Sequence, residues 1–364
     1  MKKELNILIC PLEWGLGHAG RVIPIAARLR EMNHRIFFGA GREHLAFLRK
    51  EMPGSTFIDF PGFKPGYSAH LPQYLIILLK APLLLFHVIQ EHIRLRGIIR
   101  RYSIDIVVSD NRFGLWNSKI KSVYITHLPL IPFPGAFSIL EFTGILLHRS
   151  IIKKYSFCFI PDLPGEINVS GRLSHGIKLP ANVRFIGILS RFLCLKDSKT
   201  ISPVSFRHNT VILSGPEPQK GILRKKLTEV LITKELPSVM LGGNPEGGSE
   251  LIVSGKIVYT DHPDSSVMRE IITGSECIIT RSGYTSIMEL ISLGRTALLI
   301  PTPGQTEQEY LAGYLESKGW FSTISQDKID DKMPMPTAVT EWKSDIVEQS
   351  RALLDKALME LSEE

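Results

Sequence analysis

The chain has 364 residues, 44% of them hydrophobic and 22% charged, which excludes a disordered or low-complexity polypeptide and leaves room for two ordinary domains. Its 43 Lys and Arg against 36 Asp and Glu give a formal net charge of +7, which favours a polyanionic partner: nucleic acid, an acidic membrane face or phosphorylated small molecules. Basic residues are not interleaved with aromatics in one patch and no RNA or DNA motif occurs, so nucleic acid is not expected.

Lys2-Lys3 followed by Leu5 to Cys10 superficially suggests a signal sequence, but the apolar run is short and leads into the turn Glu13-Trp14-Gly15-Leu16-Gly17-His18. It reads as a first strand. A helix is predicted from about Gly20 to Met32, with Val22, Ile25, Ala26 and Leu29 at helical spacing, and a second strand over Arg35 to Phe38. This βαβ unit opens a doubly wound parallel sheet, continued by strands at Thr56–Phe60, Ile104–Ser109, Ser122–Thr126, Phe157–Ile160 and Val183–Ile186. After an aperiodic stretch a second series starts at Val211-Ile212-Leu213-Ser214-Gly215-Pro216 and runs through Ser238–Leu241, Lys256–Tyr259, Glu276–Thr280 and Thr296–Ile300. The expected organisation is a first Rossmann-like domain at 1–189, a linker at 190–209, a second such domain at 210–337 and a helical segment at 338–364. Two α/β domains in tandem imply a cleft between them.

The segment from Tyr74 to Ile89 is strongly apolar but interrupted by Lys80 and Pro82, too short and broken for a bilayer span. It reads either as a core helix pair or as an exposed apolar surface for a lipid-linked acceptor or membrane face, with Arg94, Arg96, Arg100 and Arg101 meeting acidic headgroups. Cys10, Cys158, Cys194 and Cys277 lack metal-ligand spacing and read as reduced thiols of a cytoplasmic protein.

His18 stands at the mouth of the first strand-to-helix turn, at the carboxyl edge where open α/β sheets bind ligands. It can take a proton from an attacking hydroxyl, or merely hydrogen-bond backbone at a helix start. Asp110 ends a strand at the same edge and can orient His18, or cap a turn with Asn111. His127 ends a further strand and is a candidate substrate contact. Glu13 and Arg21 flank the first turn, where Arg21 either meets a phosphate or pairs with Glu13. In the second domain, Ser214 and Gly215 can approach a pyrophosphate, while Pro216 and Pro218 remove donors from that loop. The stretch Arg281-Ser282-Gly283-Tyr284-Thr285-Ser286 leads a strand into a helix whose N-terminus suits an anion, with the carboxylate of Glu289 one turn in. A Walker lysine is missing, which disfavours ATP-type phosphoryl transfer.

Three stretches, Gly-Leu-Gly-His-Ala-Gly-Arg at 15–21, Arg-Ser-Gly-Tyr-Thr-Ser-Ile-Met-Glu at 281–289 and Pro-Gly-Gln-Thr-Glu-Gln at 303–308, resemble nucleotide-sugar glycosyltransferases of the GT-B type. The likeness is to MurG-like members, with a donor domain similar to the family 28 C-terminal domain, and spans roughly residues 5 to 320. It implies a GT-B architecture whose first domain holds acceptor and base and whose second holds the donor. His18 then looks like the base and Asp110 its partner. Arg281, Thr285 and Ser286, beside Ser282 and Gly283, would face the diphosphate, and Glu289 resembles the carboxylate that receives the ribose hydroxyls. Glu307 and Gln308 look like the acid and amide pair that holds the donor hexose, and Lys256 to Tyr259 like the wall for the base. Arg281 stands where related plant and animal enzymes have histidine, and the first loop lacks the triple glycine of the peptidoglycan enzyme.

The reaction so implied moves a hexose or N-acetylhexosamine from a nucleoside-diphosphate sugar, UDP-linked by preference, to an acceptor hydroxyl, with inversion. No cofactor and no obligatory metal are expected; no clustered Asp-x-Asp motif occurs. The acceptor is read as a glycan or lipid-linked cell-envelope precursor, and the location as cytoplasmic with peripheral contact to the acidic inner face of the membrane. A nucleotide-sugar hydrolase or epimerase of the same build, and a non-catalytic binding protein, are the competing readings.

Overall fold

The computed structural model describes residues 4–64, 66, 73–133, 139–195, 204–244, 247–338 and 345–363. Parts of the expected linker (196–203) and of the expected C-terminal segment (339–344) lie outside the described residues.

The first sheet is built from β1 (Asn6–Cys10), β2 (Arg35–Ala40), β3 (Thr56–Asp59), β4 (Ile106–Asp110), β5 (Lys121–Ile125), β6 (Phe157–Ile160) and β7 (Val183–Phe185). Its order is β3-β2-β1-β4-β5-β6-β7 and every pairing is parallel. The crossovers carry α1 (Leu16–Glu31), α2 (Arg42–Glu51), α3 (Gln73–Leu79), α4 (Ala81–Tyr102) and α5 (Ile139–Ile152). Ile7, Leu8, Ile9 and Cys10 are all fully buried because helices cover both faces, which is why β1 reads as a continuous apolar run rather than an alternating one.

The second sheet comprises β8 (His208–Ile212), β9 (Ser238–Leu241), β10 (Ile252–Ser254), β11 (Ile257–Thr260), β12 (Ser275–Thr280), β13 (Leu298–Leu299) and β14 (Ser322–Thr323). Its order is β10-β11-β9-β8-β12-β13-β14, parallel except for the β10–β11 hairpin. Its helices are α6 (Gln219–Leu231), α7 (Ser265–Thr273), α8 (Tyr284–Ser292) and α9 (Thr306–Ser317). The two doubly wound domains expected from the alternating pattern are both present. β10 escaped that reading because all its residues are exposed at the sheet edge and carry no burial pattern.

In each sheet the order reverses about one strand, β1 flanked by β2 and β4, and β8 flanked by β9 and β12. Crevices at the carboxyl ends of such strands are where open α/β sheets take ligands. His18, in the first turn of α1, and Asp110, the last residue of β4, stand at the first of these edges; the turns leaving β8 and β12 carry Ser214-Gly215 and Arg281 to Gly283.

The last helix, α10 (Ile346–Ser362), returns to the first domain. Arg184 donates to Glu360 at 2.6 and 2.9 Å, and Arg28 to Asp355 at 2.6 Å. Gly187 has φ 73°, and a Cβ there would stand 2.3 Å from Ser350 Cα, so the close approach of α10 requires glycine. A helical pattern at the end of a chain reveals an apolar stripe but not which domain it covers.

The apolar segment resolves in favour of exposure. Leu78, Leu79, Leu85, Phe86, Ile89 and Ile93 of α3 and α4 are each 52–75% exposed, whereas Glu91 and Leu95 are the buried residues of α4. Among the described residues no helix is long and apolar enough to cross a membrane. Cys10, Cys158 and Cys277 are free and buried, and Cys194 is free and exposed.

Candidate active site

α1 begins at Leu16, four residues before the expected Gly20, so His18 lies within its first turn rather than ahead of it. Gly15, at φ 142°, lets the chain leave the β1 edge and enter the helix at once. His18 Nδ1 stands 2.9 Å from Oδ2 of Asp110, the fully buried last residue of β4. With Nδ1–H donating to the carboxylate, Nε2 is the basic nitrogen of an imidazole that is 18% exposed.

Arg21 meets neither of the partners expected for it. One turn beyond His18, it faces the same carboxylate: Nε donates to Asp110 Oδ2 at 3.0 Å and Nη2 to Oδ1. Glu13 instead accepts the backbone N–H groups of Gly41 at 2.6 Å and Gly62 at 2.9 Å, tying the β1 turn to the loops after β2 and β3. Asp110 therefore carries two partners. Burial would raise its carboxyl, but Arg21 and His18 outweigh it and hold the group at about 2. Burial pushes His18 below its ordinary value, Arg21 pushes the same way, and Asp110 only partly opposes them. The ring is thus poised neutral and able to accept a proton.

His127 follows β5. Its Nδ1 lies 3.0 Å from Arg21 Nη1 and its Nε2 2.7 Å from Oε1 of Glu307, the second residue of α9. Its ring stacks on Tyr284 at 4.0 Å and 11°, and the Tyr284 hydroxyl donates to the Pro161 carbonyl at 2.8 Å. The first turn of α8 and the first turn of α1 also touch, Thr285 Oγ1 donating to Gly17 O at 3.1 Å. The structure thus brings His18, Asp110, Arg21, His127, Thr285 and Glu307 together where the two domains meet.

On the second domain, α8 starts after Gly283 with no side-chain cap, leaving the N–H groups of its first turn as the local positive end. Ser282 Oγ donates to Gln308 O at 2.8 Å, and Gln308 Oε1 accepts the Thr302 N–H at 2.9 Å, so Gln308 braces the loop before α9. Ser214 and Gly215 form an exposed turn after β8, with Gly215 at φ 92°.

Two of the anticipated donor contacts are otherwise engaged. Arg281 is 0% exposed and donates to the carbonyls of Ile300, Pro301 and Gln219 and to Gln326 Oε1. It braces the loops after β8 and β13 instead of facing a phosphate, because every acceptor it meets is an oxygen of the protein itself. Burial pushes the Arg281 pKa down to about 10, still high enough to leave it charged at neutral pH. Glu289 is buried and lies 3.1 Å from Arg191 Nε. Burial raises its carboxyl, which Arg191 only partly offsets. In this conformation it faces Arg191 and the start of α1 rather than an open crevice. Nothing in the linker's composition singled out Arg191, and only the three-dimensional return of residues 190–195 beneath α1 and α8 exposes its role.

Residues 253–353 match the glycosyltransferase family 28 C-terminal domain. A protein of Methanosarcina acetivorans described as an uncharacterized glycosyltransferase is 24% identical over 343 residues, covering 88% of this chain and 86% of its own. Among solved structures, the glycotransferase of kitacinnamycin aligns with a TM-score of 0.60 at 13% identity, covering 100% of this chain and 95% of its own. The spinosyn rhamnosyltransferase SpnG, complexed with thymidine diphosphate, aligns at 0.57 and 13% identity, covering 98% and 95%. The chain is a glycosyltransferase with the two-domain GT-B fold.

Proposed function

We propose that this glycosyltransferase transfers a hexose or N-acetylhexosamine from a nucleoside-diphosphate sugar, UDP-linked by preference, to an acceptor hydroxyl, with inversion and without an obligatory metal. The observation that carries the reading is the meeting of the hydrogen-bonded His18–Asp110 pair with the uncapped start of α8 across the domain junction. His18 Nε2 takes the proton of the acceptor hydroxyl as its oxygen bonds to the anomeric carbon. The bond from that carbon to the diphosphate breaks, and the nucleoside diphosphate leaves with the electron pair. Its charge is received by the N–H groups opening α8 and by the Ser214-Gly215 turn, with Gly283, Thr285 and Ser286 lining the approach and Ser282, fully buried with its hydroxyl on Gln308 O, bracing them from behind. Attack from the His18 side, opposite the leaving group, inverts the centre.

Glu307 and Gln308 hold the hexose and Glu289 the ribose hydroxyls in this reading. The domains part for the latter, since α1 packs against Glu289: a Cβ on Gly20 would lie 3.7 Å from its Oε1. The diphosphate bound by SpnG supports a nucleoside-diphosphate donor and makes dTDP-sugars as worth testing as UDP-sugars. The test is incubation with UDP-, GDP- and dTDP-sugars, with and without a lipid and glycan extract as acceptor source. Acceptor-dependent release of nucleoside diphosphate is expected; release of free sugar without acceptor would identify a hydrolase, and conversion of the sugar nucleotide to an isomer an epimerase.

The acceptor we propose is lipid-linked or a cell-envelope glycan precursor, reached by peripheral docking on the acidic inner face of the membrane. The exposed apolar residues of α3 and α4 continue into Arg94, Arg96, Arg100 and Arg101 on the same helix, and α5 adds exposed Phe142 and Leu147. Apolar side chains entering the acyl boundary beside arginines at the headgroups are the chemistry of an interfacial helix. Substituting Leu79, Leu85 and Phe86 together by serine is expected to abolish co-sedimentation with anionic phosphatidylglycerol vesicles at unchanged melting temperature. Equal sedimentation of variant and parent would refute the docking.

A further inference from the structure

Five side chains form one hydrogen-bonded line from α1 to α9. It runs from His18 Nδ1 to Asp110 Oδ2 (2.9 Å), from there to Arg21 Nε (3.0 Å), from Arg21 Nη1 to His127 Nδ1 (3.0 Å), and from His127 Nε2 to Glu307 Oε1 (2.7 Å). A guanidinium donates at every nitrogen and keeps its charge, so His127 Nδ1 must be the acceptor of that contact. The single ring proton then sits on Nε2 and points to Glu307. Arg21 thus fixes the tautomer of His127. Stacking on Tyr284 fixes the ring plane, and it too comes from the second domain.

We infer that His127 is a positioning residue for the donor hexose, acting through Glu307. It occupies one carboxylate oxygen of Glu307 and so turns the other to the sugar hydroxyls. The Glu307 side chain is 31% exposed, so the contact with His127, itself 4% exposed, orients the carboxylate without sealing it. The inference rests on the reading of Glu307 as a hexose contact. It adds that a first-domain residue, fixed by the same Arg21 that grips Asp110, sets the geometry of the donor sugar. Donor positioning and the base would thereby share one buried cation.

The test compares affinity for a nucleotide with affinity for its sugar conjugate, because only the conjugate reaches Glu307. Calorimetry would measure UDP, dTDP, UDP-glucose, UDP-N-acetylglucosamine and dTDP-glucose against the full chain and its His127→Ala, His127→Gln, Glu307→Ala and His127→Ala/Glu307→Ala variants. His127→Ala and Glu307→Ala are each expected to cut the preference for the sugar conjugate over the bare nucleotide about tenfold, about the worth of one hydrogen bond to a charged group. The double variant should lose no more than either single one. His127→Gln should recover most of the preference, since its amide N–H reaches the place of Nε2, and bare nucleotide affinity should stay within about twofold throughout. A preference lowered by Glu307→Ala but untouched by His127→Ala would overturn the positioning role alone. Tighter sugar-nucleotide binding by His127→Ala would also overturn it, marking the histidine as a competitor for Glu307. A preference unmoved by Glu307→Ala would overturn the hexose reading beneath it.

Discussion

Replacing His18 by alanine is expected to lower sugar transfer by about 10²–10⁴-fold, the contribution of a positioned general base, while UDP or dTDP affinity changes less than about threefold. The asymmetry follows from the geometry. His18 sits on α1 of the first domain, against Asp110 and Arg21, while the groups proposed for the diphosphate belong to the turns after β8 and β12 of the second. Removing the ring therefore removes a proton acceptor and leaves the anion site whole. The pH dependence carries an independent sign. Burial and Arg21 hold the His18 pKa below 6.5, and a base works only when unprotonated, so kcat/KM should stay flat at neutral pH and fall on an acid limb centred below 6.5. Arg21→Gln should move that limb upward, because it removes a cation that opposes protonation while Asp110 still favours it. An alanine variant with wild-type turnover, or an acid limb above the ordinary histidine value, would remove His18 from the role of base.

The apolar runs made both sheets legible, because parallel strands covered on both faces leave no alternation to misread. The site was legible wherever a residue's place depends on the end of one strand. His18, Asp110, His127 and Glu307 each stand at a carboxyl edge, and the topology alone brings such residues together. What remained hidden depends on long side chains choosing among partners far apart in sequence. Arg21 reaches Asp110 across 89 positions, not its neighbour Glu13, and Glu289 meets Arg191. The helix period gives the face on which α10 is apolar, but its docking on the first domain rests on Gly187 and on paired charges at Arg28 and Arg184, which no local pattern marks. The exposed face of α3 and α4 was undecided for a related reason. An apolar helix in a core and one on a surface carry the same residues, and the difference lies in what covers them.

Arg281 separates a family motif from the role its position suggests. As a phosphate ligand, its loss would weaken nucleotide binding and leave the fold alone. As the brace observed here, its loss to methionine leaves two buried carbonyls, the part-buried Pro301 carbonyl and the Gln326 amide oxygen without their donor, at a cost on the order of 3 kcal/mol. For a domain pair of this size that lowers the melting temperature by roughly 4 °C. Lysine should restore little, because a point charge with three donors cannot span acceptors that a planar fork reaches from the ends of β13 and the start of α6. Nucleotide affinity, measured well below the variant's melting temperature, should fall only modestly and in equal proportion for UDP and UDP-sugars, because Arg281 does not itself touch the ligand and acts only by tying down the loop after β8 that carries Ser214 and Gly215. A variant with an unchanged melting temperature and a tenfold or greater loss of UDP affinity would return Arg281 to the phosphate. It would also mean that the guanidinium swings out of its carbonyl cage when the donor arrives.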